Sequence, residues 1–235
     1  MNGLIEKIKE ELLKIGDPKV KLASKRFFKE NIKTHGVKAA SVHKIAKDNF
    51  KLIKNEPKET IFEGCELLFK SNYIEESLVA CDWVFALKKQ YKPTDFIRFE
   101  NWIETYITNW ATCDTFCNHT IGSFIMMYPD FLDNLKKWTA SKNLWKRRAA
   151  AVSLIVPAKK GLFHNDIIQI SDFLLLDEED LVQKGYGWVL KVTSQVNEQL
   201  IFDYIMANKS KMPRTALRYA IEKMPTELKQ EAMKK

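Results

Sequence analysis

Trp110 and Asp114 are the residues of this chain whose types and spacing best suit chemistry on a positively charged group. They are four residues apart, so on a helix they share one face. An indole face attracts a cation through its quadrupole, and a carboxylate attracts it by Coulomb force. Trp188, on a later predicted helix, would add a second aromatic wall. The three residues predict a site that stabilises a developing cation. The alternative is that both indoles are core residues and Asp114 pairs with a nearby arginine.

Basic residues flank these positions and favour a site that also holds phosphate groups. Arg147 and Arg148 follow Trp145 at the start of an alanine-rich segment, and Lys184 lies four residues before Trp188. A guanidinium group donates two parallel hydrogen bonds to a phosphate. The residues predicted to contact a nucleic-acid backbone are Lys146, Arg147, Arg148, Lys159, Lys160, Lys184 and Arg214. Each basic run taken alone is also typical of a solvated helix face.

The composition is that of a soluble globular protein with a polyanionic partner. Of 235 residues, 46% are hydrophobic and 29% are charged, which argues against wholesale disorder. The formal net charge of +8 favours nucleic acid or an anionic membrane surface as partner. No apolar run approaches the ~18 residues that span a bilayer, and the first residues do not form a leader segment. We expect a cytoplasmic, monomeric protein that does not contact membranes and whose four cysteines are reduced.

Proline near the start of apolar-periodic segments predicts an all-α chain. Proline is favoured in the first turn of a helix, where its missing amide hydrogen is not needed. These prolines are Pro18, Pro57, Pro93, Pro129, Pro213 and Pro225. Between them, apolar residues recur at i, i+3, i+4 and i+7, as in Leu4, Ile8 and Leu12. Alternating strand patterns are absent from the sequence.

Small residues recur inside the apolar segments at intervals of 37, 32, 36 and 31 residues. They are Ala80, Cys117, Ala149, Gly185 and Ala216. A period in the thirties with paired helices is typical of an α–α superhelix, or solenoid, in which small residues let neighbouring helices approach closely. Such a stack curves, and a basic concave face would fit a duplex. The alternative is an ordinary helix bundle. No linker is evident, so we expect a single domain over residues 1–235.

The segment Val156 to Gly161 is the least helical part of the pattern. It contains Pro157 together with Lys159 and Lys160. We expect either a plain interhelical loop or a basic projection that touches phosphates or enters a groove.

Metal and nucleotide-cofactor sites are not predicted. Cys113 and Cys117 share a helix face near His119, but a second ligand pair for zinc is not evident. Glycine-rich phosphate loops are missing as well. We therefore expect no metal and no cofactor.

Three segments together resemble the AlkD-like family of DNA alkylation-repair proteins. They are Trp-x-x-x-Asp at 110–114, Trp-x-x-Arg-Ala-Ala at 145–150 and Gln-Lys-x-x-Gly-Trp-Val-Leu at 183–190. The resemblance spans most of the chain and is strongest from about residue 100 to 195. It implies a stack of HEAT-like helical repeats with a concave, basic face that binds double-stranded DNA.

The resemblance also implies an activity. Active members are DNA glycosylases for cationic alkylpurines such as 3-methyladenine and 7-methylguanine. By resemblance, Asp114 is the catalytic carboxylate, Trp110 and Trp188 are the aromatic walls around the sugar of the lesion, and Arg148 is the basic residue beside them. Where active members have a tyrosine on an N-terminal helix, this chain has Phe27, which lacks a hydroxyl group. Two alternatives stay open: a weakly active or inactive relative that binds branched or distorted DNA, and a HEAT-like scaffold for protein interactions.

Overall fold

The computed structural model describes residues 1–234 and confirms the predicted all-α fold class. Apart from an isolated bridge between Lys33 and Tyr73, the regular elements of that range are helices. The described chain divides into two compact units, unit 1 from Met1 to Phe116 and unit 2 from Cys117 onward. Whether they count as one domain stays a prediction.

Unit 1 consists of helices joined by short connections and one 3-10 turn at Lys88–Gln90. Its helices are α1 (Asn2–Lys14), α2 (Pro18–Phe27), α3 (Ala39–Ile53), α4 (Lys58–Lys70), α5 (Ile74–Ala86), α6 (Asp95–Tyr106) and α7 (Trp110–Phe116).

Packed aromatic rings form the core of unit 1 and position α7. The buried ring of Trp102 lies 5.5 Å from that of Phe62, 5.4 Å from that of Phe69 and 6.1 Å from that of Phe116, measured between centroids. Phe116 is the last residue of α7 and is fully buried. Ring pairs at these distances gain attraction beyond the burial of area alone. The core therefore anchors one end of the helix that carries Trp110 and Asp114.

Unit 2 begins with a π-helical turn at Cys117–Ile121 and contains a 3-10 turn at Pro129–Phe131. Its α-helices are α8 (Gly122–Met127), α9 (Leu132–Trp138), α10 (Leu144–Val152), α11 (Ile155–Lys159), α12 (His164–Phe173), α13 (Asp180–Ser194), α14 (Glu198–Asn208), α15 (Arg214–Ala220) and α16 (Thr226–Met233).

Helix α13 packs against both α10 and α15, and glycines make this possible. A Cβ atom added at Gly187 would lie 2.7 Å from Cβ of Tyr219 and 2.8 Å from the carbonyl oxygen of Ala216 on α15. A Cβ added at Gly185 would lie 3.3 Å from Cγ of Arg148 on α10. Close approach of the helices at small residues, as predicted at Gly185 and Ala216, is confirmed.

The prediction of a loop or projection around Pro157 was wrong. Residues Ile155–Lys159 form the short helix α11, in which Pro157 is the third residue and is buried. An amide in the first turn of a helix has no acceptor within that helix, so proline costs no hydrogen bond there. The helix ends at Lys159, and two residues later the φ of +72° at Gly161 lies in the left-handed region that glycine adopts readily.

Candidate nucleic-acid interface

Helix α7 begins at a side-chain cap that places Trp110 and Asp114 on one face. The Oδ1 atom of buried Asn109 accepts a hydrogen bond from the backbone N–H of Thr112 at 2.9 Å, as expected of an N-cap residue. Trp110 and Asp114 follow one turn apart, and both are half-buried. Cys113, between them in sequence, is fully buried. The indole and the carboxylate thus reach the surface of unit 1 while α7 is anchored by its buried side.

Trp110 belongs to an aromatic cluster formed with Phe27 and Phe28. The ring of Phe28 stacks on the indole at 5.0 Å with an interplanar angle of 15°, and the ring of Phe27 meets it edge-on at 5.7 Å. Phe27 is 71% exposed. Phe28 was not predicted as a site residue, although two adjacent phenylalanines flanked by basic residues gave a signal. Rings that reach solvent beside a carboxylate provide surfaces on which a sugar or a base can stack.

Helix α2, which ends at Phe27, has no buried residue. Its start is capped by Asp17, whose Oδ1 accepts from the backbone N–H of Lys19 at 2.7 Å. Its exposed cationic residues are Lys19, Lys21, Lys25 and Arg26. Unit 1 therefore presents positive charge on the helix that leads into the aromatic cluster.

In unit 2, both predicted arginines bind groups of the protein itself. Nε of Arg147 donates to Oδ2 of Asp177 at 2.6 Å, and its Nη1 donates to the carbonyl of Ser141 at 2.9 Å. Arg148 is only 5% exposed, and its Nη1 donates to the carbonyl of Leu181, which lies on α13. Nη2 of Arg147 also donates to Oδ1 of Asp177 at 3.4 Å, so most of the five N–H donors of this guanidinium group are engaged within the protein. The arginines tie α10 to its neighbours.

Trp188 is half-buried on α13, so neither predicted indole is a core residue. Tyr186, two residues earlier, is buried and donates its hydroxyl to the carbonyl of Leu175 at 3.1 Å, so it does not share the exposed position of Trp188. Lys184 forms an ion pair with Asp180 at 2.7 Å with both side chains partly exposed. Such a pair is weak enough in water for the lysine to exchange partners.

The remaining predicted phosphate-binding residues lie on the surface of unit 2. Lys159 and Lys160, at the end of α11, are exposed, and Lys146 on α10 is half-buried. Arg214 is exposed and lines a cavity of about 600 Å³. Lys209 and Lys234 line the same cavity. These side chains give unit 2 a cationic surface, though without a projecting loop.

Within residues 1–234, no group of three or more histidine, cysteine, aspartate or glutamate side chains is arranged to hold a metal ion. None of the four cysteines forms a disulfide, and all four are buried. Over the same range, every helix falls short of the length and apolarity needed to cross a membrane.

The sequence matches the family model described as DNA alkylation repair enzyme over residues 8–224. No curated protein matches the chain.

Solved structures share the fold at low sequence identity. A structure described as a predicted DNA alkylation repair enzyme from Enterococcus faecalis aligns with a TM-score of 0.80 at 18% identity, covering 89% of this chain and 97% of that one. AlkD2 from Streptococcus mutans aligns with a TM-score of 0.61 at 19% identity, covering 81% and 92%. These alignments confirm the predicted fold class, and together with the family match they confirm the resemblance to AlkD-like DNA alkylation-repair proteins.

Proposed function

The chain belongs to the DNA alkylation repair enzyme family, and from that membership we propose that it is a DNA glycosylase for positively charged alkylpurines such as 3-methyladenine and 7-methylguanine. The observation that carries the proposal is the pairing of a surface carboxylate, Asp114, with the aromatic cluster around Trp110 on the same helix face. Membership of the family supports a role in DNA alkylation repair, and the pairing of Asp114 with the aromatic cluster supports the glycosylase activity.

The chemistry demands little of the protein beyond electrostatics. An alkylated purine carries a positive charge and leaves as a neutral base when the bond between its nitrogen and C1′ of the sugar breaks. The electron pair goes to the base, and the charge moves to an oxocarbenium-like sugar. The Asp114 carboxylate and the indole of Trp110 would stabilise that charge, as carboxylates do in glycoside hydrolysis. Water then adds to C1′ and loses a proton. No metal or cofactor takes part.

DNA binding would use the cationic residues that reach solvent. We propose that Lys146, Lys159, Lys160, Lys184 and Arg214 contact phosphates on a concave basic face. Arg147 and Arg148, which bond to Asp177 and to the carbonyl of Leu181, would hold α10 in place beside these residues. We also propose that the protein acts as a monomer in the cytoplasm.

The test is release of methylated bases from DNA treated with a methylating agent, measured by chromatography over time. The proposal expects 7-methylguanine and 3-methyladenine to be released faster than from DNA incubated alone. If neither base is released although the protein binds the same DNA, the glycosylase proposal fails.

A second candidate is a DNA-structure binder of low activity. Phe28 stacks on Trp110 and therefore covers part of the indole that a sugar would use, and Phe27 has no hydroxyl group for a phosphate. This candidate expects tighter binding to a four-way junction than to a linear duplex of equal length, with no base release. Phosphate contacts release counterions, so binding to DNA through phosphates weakens as salt rises. If the protein is instead a scaffold for protein interactions, we expect no such salt-sensitive binding to DNA.

A further inference from the structure

Helices α3 and α5 of unit 1 enclose a groove that plays no part in the proposed site. Its volume is about 450 Å³, within the range of ~300–1,000 Å³ typical of small-molecule sites. Its floor includes Phe50, Trp83 and Phe85. Trp83 is buried and fixed by a hydrogen bond from its Nε1 to the carbonyl of Ala46 at 2.9 Å. Phe50 is half-buried, so part of its ring is open to a guest, whereas the ring of Phe85 has the Nζ atom of Lys88 4.0 Å from its centroid.

Three exposed lysines line the rim of this groove along α3. They are Lys47, Lys51 and Lys54, at positions i, i+4 and i+7, which places them on one side of the helix. At the rise of an α-helix they are spaced by about 6 Å and about 4.5 Å along the axis. Lys51 also pairs with Asp48 at 2.8 Å. A row of cations at such intervals is suited to successive phosphates of a nucleic-acid strand.

A polar pair lies at the same groove. Nδ1 of His43 is 2.7 Å from Oδ2 of Asp82, and both residues line the cavity. Because the carboxylate engages Nδ1, Nε2 is the ring atom that remains for a guest. Heterocyclic bases present donors and acceptors on their edges. An imidazole nitrogen beside aromatic rings can hydrogen-bond such an edge, which an apolar side chain at that position could not do.

We propose that the α3–α5 groove binds an unpaired nucleotide of single-stranded DNA, with its base against Phe50, the base edge toward His43 and the adjacent phosphates on Lys47, Lys51 and Lys54. Aromatic platforms beside a cationic track are how proteins hold single strands without sequence preference. An acidic peptide would also be attracted by the lysines. The imidazole of His43 beside aromatic rings favours the nucleotide, because it can hydrogen-bond the edge of a base that stacks on Phe50. The inference rests only on the DNA-binding part of the proposed function.

The test measures binding of fluorescein-labelled oligothymidylate by fluorescence anisotropy, because oligothymidylate forms no duplex. Phe50→Ala is expected to raise the Kd about tenfold through loss of stacking. Lys47→Gln is expected to raise the Kd and to reduce the slope of log affinity against log salt by about 0.7 for one lost phosphate contact. A strand with 2-aminopurine at its centre reports stacking directly, since its fluorescence is quenched when wild type binds and less so with Phe50→Ala.

Matched controls separate this groove from other cationic surfaces. Lys14→Gln removes an exposed lysine of α1 that does not line the groove, and it is expected to leave the Kd for oligothymidylate unchanged. Phe50→Ala is expected to release methylated bases at the wild-type rate, whereas Asp114→Asn is expected to bind oligothymidylate normally. Loss of release with normal oligothymidylate binding therefore bears on the proposed function alone.

Two results overturn the inference. One is an unchanged Kd for oligothymidylate in both groove variants, each confirmed as folded by circular dichroism. The other is groove-dependent binding of a labelled peptide rich in glutamate and phenylalanine without binding of oligothymidylate, which would make the groove a protein-docking surface.

Discussion

Glu75 is a buried carboxylate that fixes the segment between α2 and α3. It is 3% exposed, and its oxygens accept hydrogen bonds from the hydroxyl of Thr34 at 2.6 Å and from the backbone amides of His35, Gly36 and Val37 at 2.9 to 3.0 Å. Burial alone would raise the pKa of this carboxyl group, but the hydrogen bonds outweigh it and lower the pKa. The negative charge thus holds the chain that leads out of the aromatic cluster.

Because the pKa of Glu75 is lower in the folded state, its contribution to stability is present above the ordinary glutamate pKa of about 4.3 and is lost as pH falls through the lowered value. We expect Glu75→Gln to lower the free energy of unfolding at pH 7 by about 1.5–3 kcal/mol. We also expect a shallower loss of stability in acid than in wild type. Urea unfolding between pH 3 and 7 measures both, with exposed Glu63→Gln as control. Parallel pH profiles for wild type and Glu75→Gln would refute this account.

Site residues were predictable from the sequence where the interaction is local, and not where it is distant. Trp110 and Asp114 share a face through helical spacing alone. The stacking of Phe28 on Trp110 and the bond of Arg147 to Asp177 join residues far apart in the chain. Such contacts depend on how the helices pack, which neither residue type nor spacing fixes. For that reason Arg147 was predicted as a phosphate ligand without its internal partner.

Among the helices, the crossing of α13 and α15 depends on glycine. We expect Gly187→Ala to lower the free energy of unfolding by about 1–3 kcal/mol, because the new Cβ meets Cβ of Tyr219 at 2.7 Å and the Ala216 carbonyl oxygen at 2.8 Å. Gly3→Ala is the matched control in α1. No atom lies within 4 Å of its added Cβ, and it should stabilise by about 0.5–1 kcal/mol through helix propensity. Urea denaturation compares the two. Equal effects of the same sign would contradict the packing argument.

Two neighbouring ion pairs connect α4 and α6, and one pair is buried while the other is exposed. Lys58 and Asp95 are 9% and 7% exposed and lie 2.7 Å apart, while the side chains of Arg98 and Glu59 are 37% and 59% exposed. We expect Lys58→Ala to cost about 3–5 kcal/mol, because it leaves a buried carboxylate without its cation. Arg98→Ala should cost about 0–1 kcal/mol, because water screens the exposed pair. The urea unfolding midpoints of the two variants measure both losses of stability. A small loss in Lys58→Ala would show that water replaces the lysine.

Helix boundaries were predictable where proline or a capping residue marks them. Pro18 follows the cap Asp17 at the start of α2, and α15 and α16 begin directly after Pro213 and Pro225. Pro157 was misinterpreted because it lies inside the first turn of the short helix α11, where proline is tolerated. A single proline is compatible with a loop and with the first turn of a helix. The packing of α11 against α13 favours the helix.

The division between the two units was also invisible in the sequence. It falls between Phe116 and Cys117, where α7 is followed directly by the π-helical turn and then by α8. A linker is recognised as an exposed run of glycine, proline or polar residues, whereas Asn118 and Thr120 are buried here and the chain stays helical. The pattern therefore indicated continuity where the compact units meet in the chain.

Across the whole molecule, the excess of positive charge makes a prediction about salt. With a formal net charge of +8 and five cationic residues proposed as phosphate ligands, affinity for duplex DNA should fall steeply as salt rises. For about five contacts we expect the affinity to fall by roughly 500-fold between ~50 and ~200 mM salt. Anisotropy titrations of a labelled duplex give the slope. A slope near zero would favour the protein-interaction scaffold.

The measurement that tests the central claim most directly is single-turnover release of 7-methylguanine by wild type and Asp114→Asn at saturating protein. Asparagine keeps the size of the side chain and removes its charge. If the carboxylate stabilises the cationic sugar, the rate constant falls on the order of 100-fold or more while the Kd for duplex DNA is unchanged. Asp133→Asn, an exposed residue of α9, should behave as wild type. Release by Asp114→Asn at the wild-type rate would contradict the account.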